Sequence, residues 1–142
     1  MLTAKAEIDL NALQHNFNVI KQLSPRSKIV AVVKGNAYGH CATSVAKTLS
    51  AADAFAVARI EEAVVLRQAG ITQPIILLEG CFCADDLHTA AQFQFQPVVH
   101  HAGQLADILP PGTHTLNTDN MPILSSLAAF PYAFSVGGQA CP

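Results

Sequence analysis

Lys34 follows directly on the apolar run Ile29-Val30-Ala31-Val32-Val33 and opens the small, polar stretch Gly35-Asn36-Ala37-Tyr38-Gly39-His40. A run so rich in β-branched residues predicts a strand buried on both faces, as in parallel sheets. A lysine at its end carries its amine past the apolar wall into whatever cleft lies beyond. An amine drawn out of water loses proton affinity and becomes a usable nucleophile. The competing reading is an ordinary solvated lysine, since strand ends are commonly wet. Residue types alone leave both standing.

Other residues invite weaker chemistry. His100-His101 end a predicted strand and could move protons, although tandem histidines there are more often solvated loop residues. Arg59 and Glu79 also stand at strand ends, where ion pairing is the simpler reading. Glu61-Glu62 reads as the acidic first turn of a helix, favoured by the helix dipole, and not as a carboxylate dyad. Cys81 and Cys83 form a C-x-C pair with no second pair at zinc spacing, so no metal site is predicted. Cys41 could be a reactive thiol, but a small buried residue is the simpler reading.

The elements that must position these groups alternate regularly. A short strand is predicted over residues 3–9, with Asp9 or Asn11 capping a helix that runs to about Leu23. Leu13, Phe17, Ile20 and Leu23 share a stripe of that helix, and Ser24-Pro25 stops it. The strand over 29–33 and the lysine loop follow, then a helix over 42–49 with Ala42, Val45, Ala46 and Leu49 on one face. A strand over 54–58, a helix begun by Glu61-Glu62 and closed by Gly70, and a strand over 75–78 come next. A helix over 85–93, a strand over 97–99 and a helical stretch over 104–109 lead to Pro110-Pro111-Gly112. Strands alternating with helices at this spacing predict right-handed βαβ units on a parallel sheet. About four such units are present, where a closed (β/α)8 barrel of the TIM type needs eight, so about half a barrel is predicted.

Composition agrees. The chain has 142 residues, 51% of them hydrophobic and 13% charged, with a net charge of −2. That suits a buried α/β domain and gives no broad pull toward nucleic acid or anionic membranes. No apolar run reaches membrane-spanning length and the first residues lack a signal-peptide core, so a cytoplasmic location is expected. All 8 Lys and Arg residues stand at or before Arg67. From Thr113 the texture changes: Asp119 is the one charged residue, and no period of either kind is evident.

The segment Val32-Val33-Lys34-Gly35-Asn36-Ala37-Tyr38-Gly39-His40 resembles the cofactor-lysine motif of bacterial alanine racemases, usually V-V-K-A-N-A-Y-G-H-G. The opening Thr3 to Leu13 with His15-Asn16 is similar to that family's start. So are Ala52 to Ala58 with Ile60-Glu61-Glu62-Ala63 and Leu66-Arg67, Pro74 to Gly80 with Phe82, and Val98-Val99-His100 with Gln104-Leu105. The resemblance covers about residues 2–109.

It implies the N-terminal half of a pyridoxal 5'-phosphate barrel over 1–112, interconverting L- and D-alanine for peptidoglycan. Lys34 would bond the cofactor and act as one of two bases, and Tyr38 would contact the cofactor phosphate. The second base, a tyrosine of a C-terminal β domain reaching in from the partner subunit of a homodimer, has no match here; nor have the arginines facing the pyridine nitrogen and the substrate carboxylate. Residues 113–142 are expected to be a divergent tail, by true divergence or a change of reading frame, and disorder is one expectation for them. The C-terminal domain is expected to be absent, dimerisation is not expected to follow, and turnover is expected to be weak or nil. A non-catalytic pyridoxal-phosphate-binding protein of related fold and a degenerate product without function are the alternatives. Gly35, where the family has alanine, is expected to loosen the backbone beside the lysine.

Overall fold

Asp9 sets the first helix. In a computed structural model of the chain, which describes residues 6–101, 104 and 108 and the backbone of 132–135, its carboxylate accepts the N–H groups of Asn11 at 2.9 Å and Ala12 at 3.1 Å. Such a cap stabilises a helix by about 1 kcal/mol. The helix α1, Leu10–Leu23, buries Phe17 and packs Leu13 and Ile20 against the core, while Leu23 stays 78% exposed and leaves the expected stripe. Residues 6–9 form no strand. Both edges of the strand that follows α1 are taken by other strands.

That strand, β1, spans Lys28–Val32. After it come β2 (Ala54–Val57), β3 (Ile75–Leu77) and the short β4 (Gln96–Pro97), with each pair parallel. A fifth strand, β5 (Tyr132–Ser135), lies parallel on the far edge of β1, giving the order β4-β3-β2-β1-β5. The sequence reading missed β5, although Tyr132 and Phe134 alternate with Ala133 and Ser135 in a strand-compatible way. An unpaired β1 edge would leave a row of backbone donors and acceptors open, and β5 fills it. The rest of the tail over 113–142, and all of the stretch over 104–109 but Gln104 and Ile108, lie outside the described residues.

Both sheet faces are dry, as the apolar runs require. Ile29, Ala31, Val33, Phe55, Val57, Ile75 and Leu77 point into one cluster with the helices. Val30, Ala54 and Ala56, flanked by Val32, Ile76 and Leu78, form a second cluster on the other face. The short turn α2 (Lys34–Tyr38) follows β1, and the helices between strands are α3 (Ala42–Thr48), α4 (Ile60–Gln68) and α5 (Ala84–Gln92). Ala42, Val45, Ala46 and Leu49 are all buried as expected, and Gly70 follows α4 at φ 88°.

Arg67 ties three of these pieces together. Its guanidinium donates to the carbonyls of Ile71 at 2.6 Å, Gln73 at 2.8 Å and Phe93 at 3.3 Å, and stacks 5.5 Å from the Phe95 ring. Burial lowers its proton affinity, and the three carbonyls are what hold the charge in place. The result is a parallel α/β sheet corresponding to part of a barrel, with the strand C-termini, and Lys34, on one rim.

Candidate active site

Lys34 leaves the sheet through a backbone of unusual hand. The turn α2, Lys34–Tyr38, is left-handed: Gly35, Asn36, Ala37 and Tyr38 have φ of 60°, 54°, 55° and 55°, and Gly39 follows at 85°. For residues other than glycine this region costs about 1–2 kcal/mol each. Something must therefore hold the segment there. Ala37 is buried in the core cluster, and its N–H bonds the Val33 carbonyl at 2.8 Å. Asn36 Oδ1 accepts the Ala42 N–H at 2.9 Å, which also caps the start of α3. The His40 ring nitrogen Nδ1 lies 2.9 Å from the Ala37 carbonyl and 3.1 Å from that of Tyr38. Asn36 and His40 thus shape the loop.

Gly35 has a different meaning from the one expected. At φ 60° it sits where a side chain is strained, and a Cβ placed on it would meet nothing within 4 Å. Glycine here removes conformational cost from the turn; the loosening expected from sequence ignores that the backbone is pinned. The pin is Glu62. Its Oε1 accepts the Gly35 N–H at 2.6 Å, while Oε2 accepts those of Ala58 at 2.9 Å and Arg59 at 3.1 Å. Sequence reading placed Glu62 correctly in the first turn of α4 and saw only a dipole partner. A glutamate at the third helical position often reaches back to the cap residue, a signal that could have flagged part of this role. The contact to Gly35 has no sequence signal.

The side chains with chemistry spread along the rim. Lys34 is half-buried, and Tyr38 is 42% exposed with its hydroxyl able to meet solvent or a ligand. Cys41 is exposed, which corrects the expectation of a buried residue: at φ 68° it begins α3 with its thiol outward. Ser44 at 3.4 Å and Thr43 at 3.5 Å hydrogen-bond its sulfur and lower its pKa to about 7. Arg59 pairs with Glu61 at 3.4 Å in solvent and stacks 5.5 Å from Phe82, the simple role expected. His100 Nε2 lies 2.7 Å from the Leu78 carbonyl, which accepts from it in the tautomer protonated there, and His101 Nδ1 receives the Gln104 N–H. Both histidines are exposed, and His15 lies exposed on α1. Among the described residues no group of three or more His, Cys, Asp or Glu is placed to hold a metal ion.

Lys34 and Tyr38 thus begin and end one short turn on the rim.

Residues 8–113 match the family described as "Alanine racemase, N-terminal domain". A second family, "SPFH domain-Band 7 family", matches residues 89–140, less than half of the chain. The biosynthetic alanine racemase of Escherichia coli K12 is 52% identical over 106 residues, covering 75% of this chain and 30% of that protein. The alanine racemase of Vibrio vulnificus CMCP6 is 53% identical over 108 residues, with 76% and 30% covered. Among solved structures, alanine racemase from Acinetobacter baumannii superposes with a TM-score of 0.69 at 44% identity, covering 71% of this chain and 30% of that one. A histidine racemase from Leuconostoc mesenteroides superposes at 0.63 with 28% identity, covering 69% and 27%. The chain spans under a third of the length of each of these relatives.

Proposed function

The chain belongs to the alanine racemase N-terminal domain family, and from that premise we propose that it supplies the cofactor-lysine half of a pyridoxal-phosphate-dependent racemase acting on alanine. The observation that carries this reading is Lys34 at the rim end of β1, on a rigid left-handed turn, inside the matched residues. The relatives named alanine racemase favour alanine as the substrate. The histidine racemase of similar fold makes the amino-acid class firmer than the particular side chain.

Pyridoxal phosphate, when bound, supplies the electron sink that makes an amino acid's α-proton removable. This chain's residues bind and orient. Lys34 would hold the cofactor through its amine and would take or return the α-proton at its Nζ. Tyr38 would donate its hydroxyl to the phosphate. The turn fixes the approach of both, since Gly35 to Tyr38 are held by Glu62, Asn36 and His40. Racemisation needs a second acid–base group on the opposite face of the α-carbon. By the resemblance, that group lies outside the matched residues. A place in the cytoplasm and D-alanine supply for peptidoglycan belong to the same reading, while homodimer assembly belongs to the family and is not expected of this chain; no helix among the described residues is long and apolar enough to cross a membrane.

Titrating the purified chain with pyridoxal phosphate tests this. A new absorbance band that vanishes in Lys34→Ala, with D-alanine formed slowly or not at all by the chain alone, is the expected result. No lysine-dependent band would overturn the reading, and rapid turnover by the chain alone would overturn the need for an outside base.

A further inference from the structure

Glu62 has both carboxylate oxygens engaged, and all three of its partners are backbone donors at two different strand ends. Ala58 and Arg59, at the end of β2, bind Oε2 and so fix the carboxylate to the sheet. Oε1 then takes the N–H of Gly35, 27 residues away in sequence. That N–H belongs to the peptide joining Gly35 to Lys34. Gripping it sets the plane of that peptide, and with it the direction in which the Lys34 side chain leaves the backbone.

The other side-chain anchors of the turn are local. Asn36 bonds Ala42 and His40 bonds Ala37 and Tyr38, all within six residues. Local anchors can hold the turn's shape without fixing how it faces the neighbouring βα unit. Glu62 supplies that second constraint. An ionised carboxylate accepts at both oxygens, whereas an amide would aim its own donors at the Gly35 N–H or at those of Ala58 and Arg59. Aspartate, one methylene shorter, would not span both strand ends.

We infer that Glu62 is a positioning residue for Lys34: its carboxylate, fixed at the end of β2, holds the Lys34–Gly35 peptide so that the lysine amine meets pyridoxal phosphate in one orientation. This rests on the proposed role of Lys34. Hydrogen bonds to a charged acceptor are worth enough that losing one weakens binding roughly tenfold to a hundredfold.

The test uses the whole chain as wild type, Glu62→Gln and Glu62→Asp. Two readouts are taken: amide hydrogen exchange without cofactor, and titration with pyridoxal phosphate followed by absorbance and by circular dichroism in the cofactor band. In Glu62→Gln the Gly35 amide should exchange faster while Val33, bonded to the Ala56 carbonyl at 2.8 Å, stays protected. Cofactor affinity should fall roughly tenfold to a hundredfold, and the induced dichroism, which reports how the cofactor is held, should shrink. A merely structural glutamate would lower the melting temperature and leave affinity and dichroism of the folded protein unchanged; that outcome overturns the inference. Should Glu62→Gln not fold, Glu62→Asp decides by the same readouts: wild-type Gly35 protection and affinity contradict the inference, and their joint loss supports it. Absence of a lysine-dependent band in the wild type would sink the proposed function; a normal wild-type band that Glu62→Gln leaves intact would sink the Glu62 role alone.

Discussion

The ends of β1 and β2 stand side by side, with Val32 in register with Ala56, yet they leave the sheet in opposite ways. At β2 the chain stays extended through Arg59, at φ −120° and ψ 156°, and enters α4 by ordinary capping. At β1 it turns left-handed for five residues, Gly35 to Gly39, before α3 begins. One carboxylate touches both ends. The difference lies in where the conformation comes from: the β2 exit follows from local residue preferences, and the β1 exit is imposed by contacts from outside the segment. A strained, externally held backbone is a common way to aim a functional side chain.

Removing the support common to both ends has the largest expected effect. Phe55, at 0% exposure in β2, anchors the core beneath them. Phe55→Ala should destabilise the chain by about 3–5 kcal/mol, read as a fall in denaturant midpoint. Both exits should lose amide protection together; loss at one end only would show that they are not built on one core.

A smaller change separates the ends. Gly35→Ala places a methyl in open space at a positive φ, so its cost is conformational, about 1 kcal/mol. Thermal melting should record that drop, while the amides of Ala58 and Arg59 keep their protection. An unchanged melting temperature would mean that the turn is not strained there.

Sequence periodicity revealed most of the frame and little of this contrast. The runs at β1, β2 and β3 and the apolar face of α3 are short-range patterns, and they fold as patterned. The strand expected over 3–9 has no pairing edge within residues 6–9, and β5 arises from residues whose pairing depends on β1 being open on that side. Pairing is a property of the assembled sheet and leaves no mark within the strand itself. Lys34 and Tyr38 stand out in the sequence because their motif is local, and the structure puts both on the turn after β1. The left-handed φ of Ala37 and Tyr38 was not, since neither residue type favours it. Glu62 was half legible: its place at the helix start is local, and its grip on Gly35 is tertiary.

The smallest effect concerns reactivity. Cys41 leaves the left-handed segment at φ 68°, and Ser44 and Thr43 lower its pKa to about 7. Alkylation requires the thiolate, so its rate should rise through about pH 7. Ser44→Ala removes the largest cause and should move that midpoint upward. Cys81, in the loop between β3 and α5, is raised to about 11 by burial, then by Asp86 and Cys83, and should stay unreactive at neutral pH. Equal labelling of Cys41 and Cys81 at pH 7 would contradict the placement of both.

The central claim is that the β1 exit selects one lysine for the cofactor. Incubating the chain with pyridoxal phosphate, reducing with borohydride and mapping the peptides by mass spectrometry measures this directly. The account predicts a cofactor-derived mass on Lys34, and loss of that labelling in Lys34→Ala. Label spread evenly over Lys21, Lys28, Lys34 and Lys47 would contradict it.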